Sequence, residues 1–150
     1  MAKGIGASLH TSNKTRMYLL DTNVISETRR LRPHGAVLSW LESVNNSALH
    51  MPAVSAGEIQ SCIELTRQRD PAKSESLEAW LEEILATFKV LPMDAHTFRV
   101  WAQLKLGRSA TLYEDAMIAA TAIVHGLTVV TRNTRDFTVF GIETFDPFAN

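Results

Sequence analysis

The sequence predicts an α/β fold, with a central parallel sheet of about five strands and helices on its flanks. Two observations carry that expectation. Short apolar runs without interruption, such as Met17 to Leu20 and Leu127 to Val130, read as strands buried on both faces. Between such runs lie segments whose apolar residues recur at three and four positions, the period of amphipathic helices. A third observation concerns chemistry: acids stand where strands stop and helices start, the edge at which open α/β sheets bind ligands.

With 150 residues and 45% hydrophobic content the chain is long enough for one domain with a real core. Its net charge of −1 gives no bulk positive field, so any nucleic-acid contact must come from a local patch. One cysteine, Cys62, excludes an internal disulfide and a cysteine-based zinc cage, and fits a reducing cytoplasm. No apolar run of about 18 residues is present, so no membrane span is expected. Residues 1–16 are small, polar and unpatterned and lack the apolar centre of a signal peptide. They read as a disordered extension or cloning remnant, with Met17 a natural start and residues 17–150 a single domain.

In order, Met17 to Leu20 forms the first strand, and Thr22 or Asn23 caps a helix over Val24 to Arg30. Arg29, Arg30 and Arg32 then make a basic cluster ending at Pro33. Val37, Leu38, Trp40 and Leu41 give the next helix, about His34 to Ser43, an apolar face. After the Asn45-Asn46-Ser47 turn comes a strand, Ala48 to Met51, closed by Pro52. Ser55 and Glu58 form a Ser-x-x-Glu capping box, which places a helix start at Ser55. Ile59 and Ile63, with Cys62 and Leu65, are its expected core face. Asp70-Pro71 opens a further helix carrying Leu77, Trp80, Leu81, Ile84 and Leu85. Phe88 to Leu91 is the third strand. Asp94 caps a helix that ends at Gly107, and Arg108 to Tyr113 is a loop. The helix holding Asp115 ends at Gly126. Leu127 to Val130 is the fourth strand, Thr131 to Asp136 a polar loop, Phe137 to Phe140 a helical turn, and Ile142 to Phe145 the last strand.

Four acids stand out. Asp21 ends the first strand, Glu58 lies in the first turn after the second, Asp115 opens the helix before the fourth, and Asp136 follows the fourth. Asp21, Glu58 and Asp136 converge on one sheet edge; Asp115 joins them only if its helix presents its N-terminus there. Like charges so close need a counter-charge, and carboxylate oxygens suit Mg²⁺ or Mn²⁺ rather than zinc. Such an ion polarises a phosphoryl oxygen and activates a bound water for attack. Each acid also has an ordinary structural account. Glu58 can be a capping-box acid, Asp115 a complement to a helix dipole, and Asp136 a turn residue. The joint pattern is what favours chemistry.

These segments, in order, resemble the PIN-domain nucleases, specifically the VapC/FitB-like toxins of type II toxin–antitoxin systems. They are Leu-Leu-Asp-Thr-Asn-Val-Ile-Ser-Glu from Leu19, Val-Ser-Ala-Gly-Glu-Ile from Val54, Glu-Asp-Ala-Met-Ile-Ala-Ala-Thr-Ala from Glu114 and Val-Thr-Arg-Asn-Thr-Arg-Asp-Phe from Val130. The likeness spans roughly residues 17–147. It implies a PIN-like fold and a metal-dependent endoribonuclease that hydrolyses RNA phosphodiester bonds with Mg²⁺ or Mn²⁺. It further implies a homodimer, silenced by a small VapB/FitA-like antitoxin in a toxin–antitoxin hetero-oligomer. By position, Asp21, Glu58, Asp115 and Asp136 are the catalytic and metal-binding acids, with Thr22, Asn23 and Asn133 as supporting groups. Cys62 stands where many relatives carry glycine. Glu114, turned about 100° from Asp115 around the helix, is not assigned to the metal. Arg135, Arg132 and Arg108 are RNA-contact candidates, with Arg29, Arg30 and Arg32 beyond them; each also reads as solvated surface charge. Two other functions fit part of the pattern. An aspartate-nucleophile phosphatase also wants Asp after the first strand, but its usual second acid two residues on is Asn23 here. A non-catalytic PIN-fold interaction module would not need all four acids.

Overall fold

A computed structural model describes residues 16–149; the expectation for the N-terminal extension falls outside them, save Arg16. Tyr18–Leu20 forms the central strand, β1, and Asp21 caps a short helix, α1 (Thr22–Glu27). The cap is Asp21 itself rather than Thr22 or Asn23, its carboxylate accepting from the Thr22 backbone N–H at 2.7 Å. Helix α2 (Gly35–Ser43) follows, then a 3-10 turn and strand β2 (Leu49–Pro52). Helices α3 (Ala53–Arg69) and α4 (Pro71–Thr87) pair as a hairpin, and Asp70 caps α4 by accepting from the Lys73 N–H at 3.1 Å. Strand β3 (Lys89–Leu91) leads to α5 (Ala95–Lys105), a 3-10 turn at Ala110–Leu112, and α6 (Tyr113–His125). Gly126, at φ +68°, ends α6 in the left-handed conformation that glycine adopts without strain. Strand β4 (Thr128–Val130), helix α7 (Thr134–Thr138) and strand β5 (Thr144–Phe145) complete the chain.

The five strands form one sheet, all parallel, in the order β3-β2-β1-β4-β5. The chain winds outward from β1 to β3, crosses back, and winds the other way through β4 and β5. The switch point therefore lies between β1 and β4, where carboxyl strand ends leave a crevice. Alternation along β1 serves both faces. Leu20 packs with Val24, Val37, Met51, Ile59, Ile63, Leu77 and Leu81 under α1 to α4. Leu19 packs with Ile118, Ala119, Val129 and Phe137 under α5 to α7. Among the described residues no helix is long and apolar enough to cross a membrane.

Several expectations are corrected. Helix α3 starts at Ala53 directly off β2, so Ser55 is inside the helix, fully buried, and is not its cap; no capping box forms, and Glu58 falls in the second turn. Cys62 and Leu65 are exposed, the latter 62%, because α3 runs 17 residues and its second half carries only Ile63 inward. Asp136 belongs to the first turn of α7 rather than to a loop. Trp40 packs against the first core, stacking near Tyr18 and Phe145. Trp101 packs against the second and donates its indole N–H to the Tyr113 carbonyl at 2.9 Å.

Candidate active site

The site begins with two neighbouring strand ends. The Asp21 backbone N–H donates to the Val130 carbonyl at 2.9 Å, extending the β1–β4 pairing by one residue and fixing where its side chain leaves the sheet. Asp21 is 6% exposed, and both carboxylate oxygens accept hydrogen bonds. Oδ1 takes the Thr22 N–H; Oδ2 accepts from the Thr131 hydroxyl at 2.7 Å and the Asn23 amide at 3.1 Å. Burial still outweighs these bonds and pushes its pKa above the usual aspartate value, with the negative charge of Asp136 adding to the rise.

Glu58 reaches the same crevice from α3. Its Oε1 accepts from the Thr22 hydroxyl at 2.9 Å, and that hydroxyl also bonds the buried Ser55 hydroxyl at 2.7 Å. Asp115, in the first turn of α6, comes from the opposite side of the sheet. The helix does present its N-terminus to the edge, for Asp115 feels the charges of both Asp21 and Asp136. Burial first, then those two charges and that of Glu114, raise its pKa to about 6. Burial, then a hydrogen bond to Glu114, raise Glu58 to about 7, with the charges of Glu114 and Asp21 contributing. The four acids thus share one electrostatic site.

The three ion pairs found among the described residues, Arg30–Glu27, Arg67–Glu64 and Arg67–Glu78, leave all four acids without a basic partner. As placed, no three His, Cys, Asp or Glu side chains among those residues form a group that could hold a metal ion. The donor set, oxygen-only and carrying excess negative charge at a half-buried edge, is the chemistry that suits a hard divalent cation.

The supporting residues divide. Thr22 donates to Glu58 and Asn23 to Asp21; Asn23 also accepts from the Arg132 backbone N–H through Oδ1 at 3.4 Å. Asn133 contributes through its backbone, its N–H donating to the Thr131 hydroxyl at 3.0 Å and its carbonyl accepting from the Asp136 N–H at 3.0 Å. Two groups escaped the sequence reading. Thr131, buried completely, is the direct anchor of Asp21, yet in sequence it looks like any threonine at a strand end. Glu114 meets Glu58 rather than Asp115, because α3 and α6 face one another across the site. Its adjacency to Asp115 was the only signal.

Of the cations, Arg135 and Arg132 are exposed beside Asp136. The Arg132 guanidinium lies 4.3 Å over the Phe148 ring. Arg108 is engaged elsewhere, donating to the Val139 carbonyl at 3.2 Å.

A family model described as PIN domain matches residues 18–141. Toxin FitB of Neisseria gonorrhoeae is 34% identical over 88% of this chain and 99% of its own length. VapC ribonuclease Y4jK of Sinorhizobium fredii is 33% identical over 88% of this chain and 98% of its own. The crystal structure of FitAcB from Neisseria gonorrhoeae superposes with a TM-score of 0.79 at 34% identity, covering 89% of this chain and all of the other.

Proposed function

The chain belongs to the PIN-domain family, among the VapC/FitB-like proteins, and from that premise we propose that it is a divalent-metal-dependent endoribonuclease toxin. The observation that carries the reading is the gathering of Asp21, Glu58, Asp115 and Asp136 at a switch-point crevice with no basic partner among the described residues, where burial and neighbouring acids raise both Glu58 and Asp115. Asp21, Glu58, Asp115 and Asp136 would hold Mg²⁺ or Mn²⁺. When bound, the ion supplies the missing counter-charge, polarises the phosphoryl oxygen and lowers the pKa of water.

The protein's own groups do the rest. Asp21 is a fixed acceptor, held in one orientation by Thr131, Asn23 and the Thr22 N–H. Glu58, tethered by Thr22, and Asp115 bring charge from the two sides of the sheet. In the metal-free protein, burial and the neighbouring Glu114 raise Glu58 to about 7, so a bound cation would favour its ionised form. Arg135 and Arg132, exposed at the rim, are placed to meet substrate phosphates.

The family reading extends to assembly. It implies a homodimer. A small VapB/FitA-like antitoxin would complete a hetero-oligomer, and the cytoplasm is the compartment this reading requires. The test is cleavage of a mixed cellular RNA pool by antitoxin-free protein in Mg²⁺, in Mn²⁺ and in chelator, with Asp21→Asn as matched control. Metal-dependent cutting that the variant lacks is expected; full activity in the variant or in chelator would overturn the site.

A further inference from the structure

Beside the acidic centre, α1, α3 and α4 enclose a cleft of about 250 Å³. Thr22 and Glu58 bound it on the catalytic side, the buried Ile59, Ile63 and Leu77 form its depth, and exposed Cys62 and half-buried Trp80 stand at its rim. Arg29, Leu77 and Trp80 are shared with a wider groove of about 700 Å³, whose remaining lining includes Arg30, Arg32 and Lys73. Four cations therefore gather around one channel in a chain of net charge −1. The channel leads from basic residues to the acids.

Its chemistry changes along its length in the order a nucleic-acid strand requires. Phosphates follow the cations. A base next to the reacting phosphate needs an apolar slot and a π face, and Trp80 offers one, with the Arg29 guanidinium 5.9 Å from its ring centroid. The Trp80 indole N–H is already satisfied by the Thr28 hydroxyl at 2.9 Å, so the ring is held in place before anything binds. The hydroxyl of Ser26, also on the lining, can pair with a base edge. A helical peptide is a poorer match: a helix is ~10 Å across and could put only side chains into a hollow of this size.

We propose that this cleft is a nucleobase subsite. The base of a nucleotide adjoining the cut enters against Trp80, Ile59 and Cys62, while the neighbouring backbone runs over Arg29, Arg32 and Lys73. The cleft thereby helps to decide which RNA sequence is cut; this rests on the ribonuclease reading. Cys62, exposed on the lining, narrows the slot from its solvent side.

The test is cut-site mapping and steady-state kinetics on a randomised RNA pool and on its best short substrate, with Mg²⁺. Cys62→Phe, exposed and therefore tolerated by the fold, fills the cleft; Trp80→Leu removes the stacking face; Trp80→Phe keeps a ring. The first two should raise KM about tenfold or more and shift the preference at one nucleotide beside the cut, with kcat at saturation within about threefold. Trp80→Phe should stay near wild type. Lys73→Ala should raise KM for all sequences alike without changing preference. Unchanged KM and cut sites in both Cys62→Phe and Trp80→Leu would overturn the subsite while leaving the nuclease reading intact. No cutting by folded, metal-supplied wild type would overturn both. Unchanged cutting together with lost binding of an antitoxin peptide would make the cleft a partner's seat and overturn the proposal.

Discussion

Glu58→Gln should make the metal-free protein more stable and inactive at once. In the folded chain the Glu58 pKa stands at about 7 against an ordinary value of 4.5. Between those values the folded state binds more protons than the unfolded state, so stability falls as pH rises through the window and the loss is complete above about pH 7. The full displacement corresponds to ~3.4 kcal/mol. Glu58 is only half-buried, and solvent screening reduces the usable figure to ~1–2 kcal/mol. Glutamine keeps an acceptor for the Thr22 hydroxyl, which now lies 2.9 Å from Oε1, and removes the charge that opposes Glu114 and Asp21. Thermal unfolding in chelator at pH 8 should therefore show the variant ~3–8 °C above wild type. At pH 4 the two should coincide, and the variant's pH slope between 4.5 and 7 should be the flatter one. RNA cleavage in Mg²⁺ should be lost. A variant no more stable than wild type at pH 8, with an unchanged slope, would refute the argument that these acids are held together against their own repulsion.

Other outcomes follow from the same geometry. Asp21→Asn should lower cleavage by at least ~10²-fold, the scale of a positioned acid–base group, with unchanged circular dichroism. Thr131→Val strips the Asp21 carboxylate of its 2.7 Å donor; it should cost ~1–3 kcal/mol in urea unfolding and ~10–100-fold in activity. Phe137→Ala empties a completely buried site under α7, costing ~3–5 kcal/mol and loosening Asp136 with it, read by the same two assays. Mg²⁺ at a hundred times its dissociation constant should stabilise wild type by ~2.7 kcal/mol, raising its melting temperature, and should do so far less in Asp21→Asn.

The strands, most helices and the four acids were legible because each announces itself locally. The run before Asp21 is apolar on both faces, and Leu19 and Leu20 do enter opposite cores. Asp70-Pro71 and Gly126 act as start and stop wherever they stand. Ser55 failed for the complementary reason. Ser-x-x-Glu reads alike at a helix start and inside one, and only the direct passage of β2 into α3 decides which it is. That passage turns Ser55 inward, where it bonds Thr22 instead of capping. Thr131 and Glu114 were illegible because their partners lie 110 and 56 positions away in sequence, across β1–β4 and α3–α6. Local pattern carries the elements; register and helix crossing carry the bonds between them.

That difference bears on how the acids divide the work. Asp21 ends the central strand beside paired β4, and three donors converge on its carboxylate. Glu58 has one hydroxyl from Thr22 and lies beside Glu114, which raises its pKa. Asp115 is shifted by burial and neighbouring charge, with no hydrogen bond among the causes. In the proposed site, Asp21 is thus held by more hydrogen bonds than Glu58 or Asp115. A site in which every acid were pinned would carry the full repulsion at fixed distances. On the proposed reading, Asp21 with Thr131 would set the position of a bound cation, and Glu58 and Asp115 would add charge from α3 and α6.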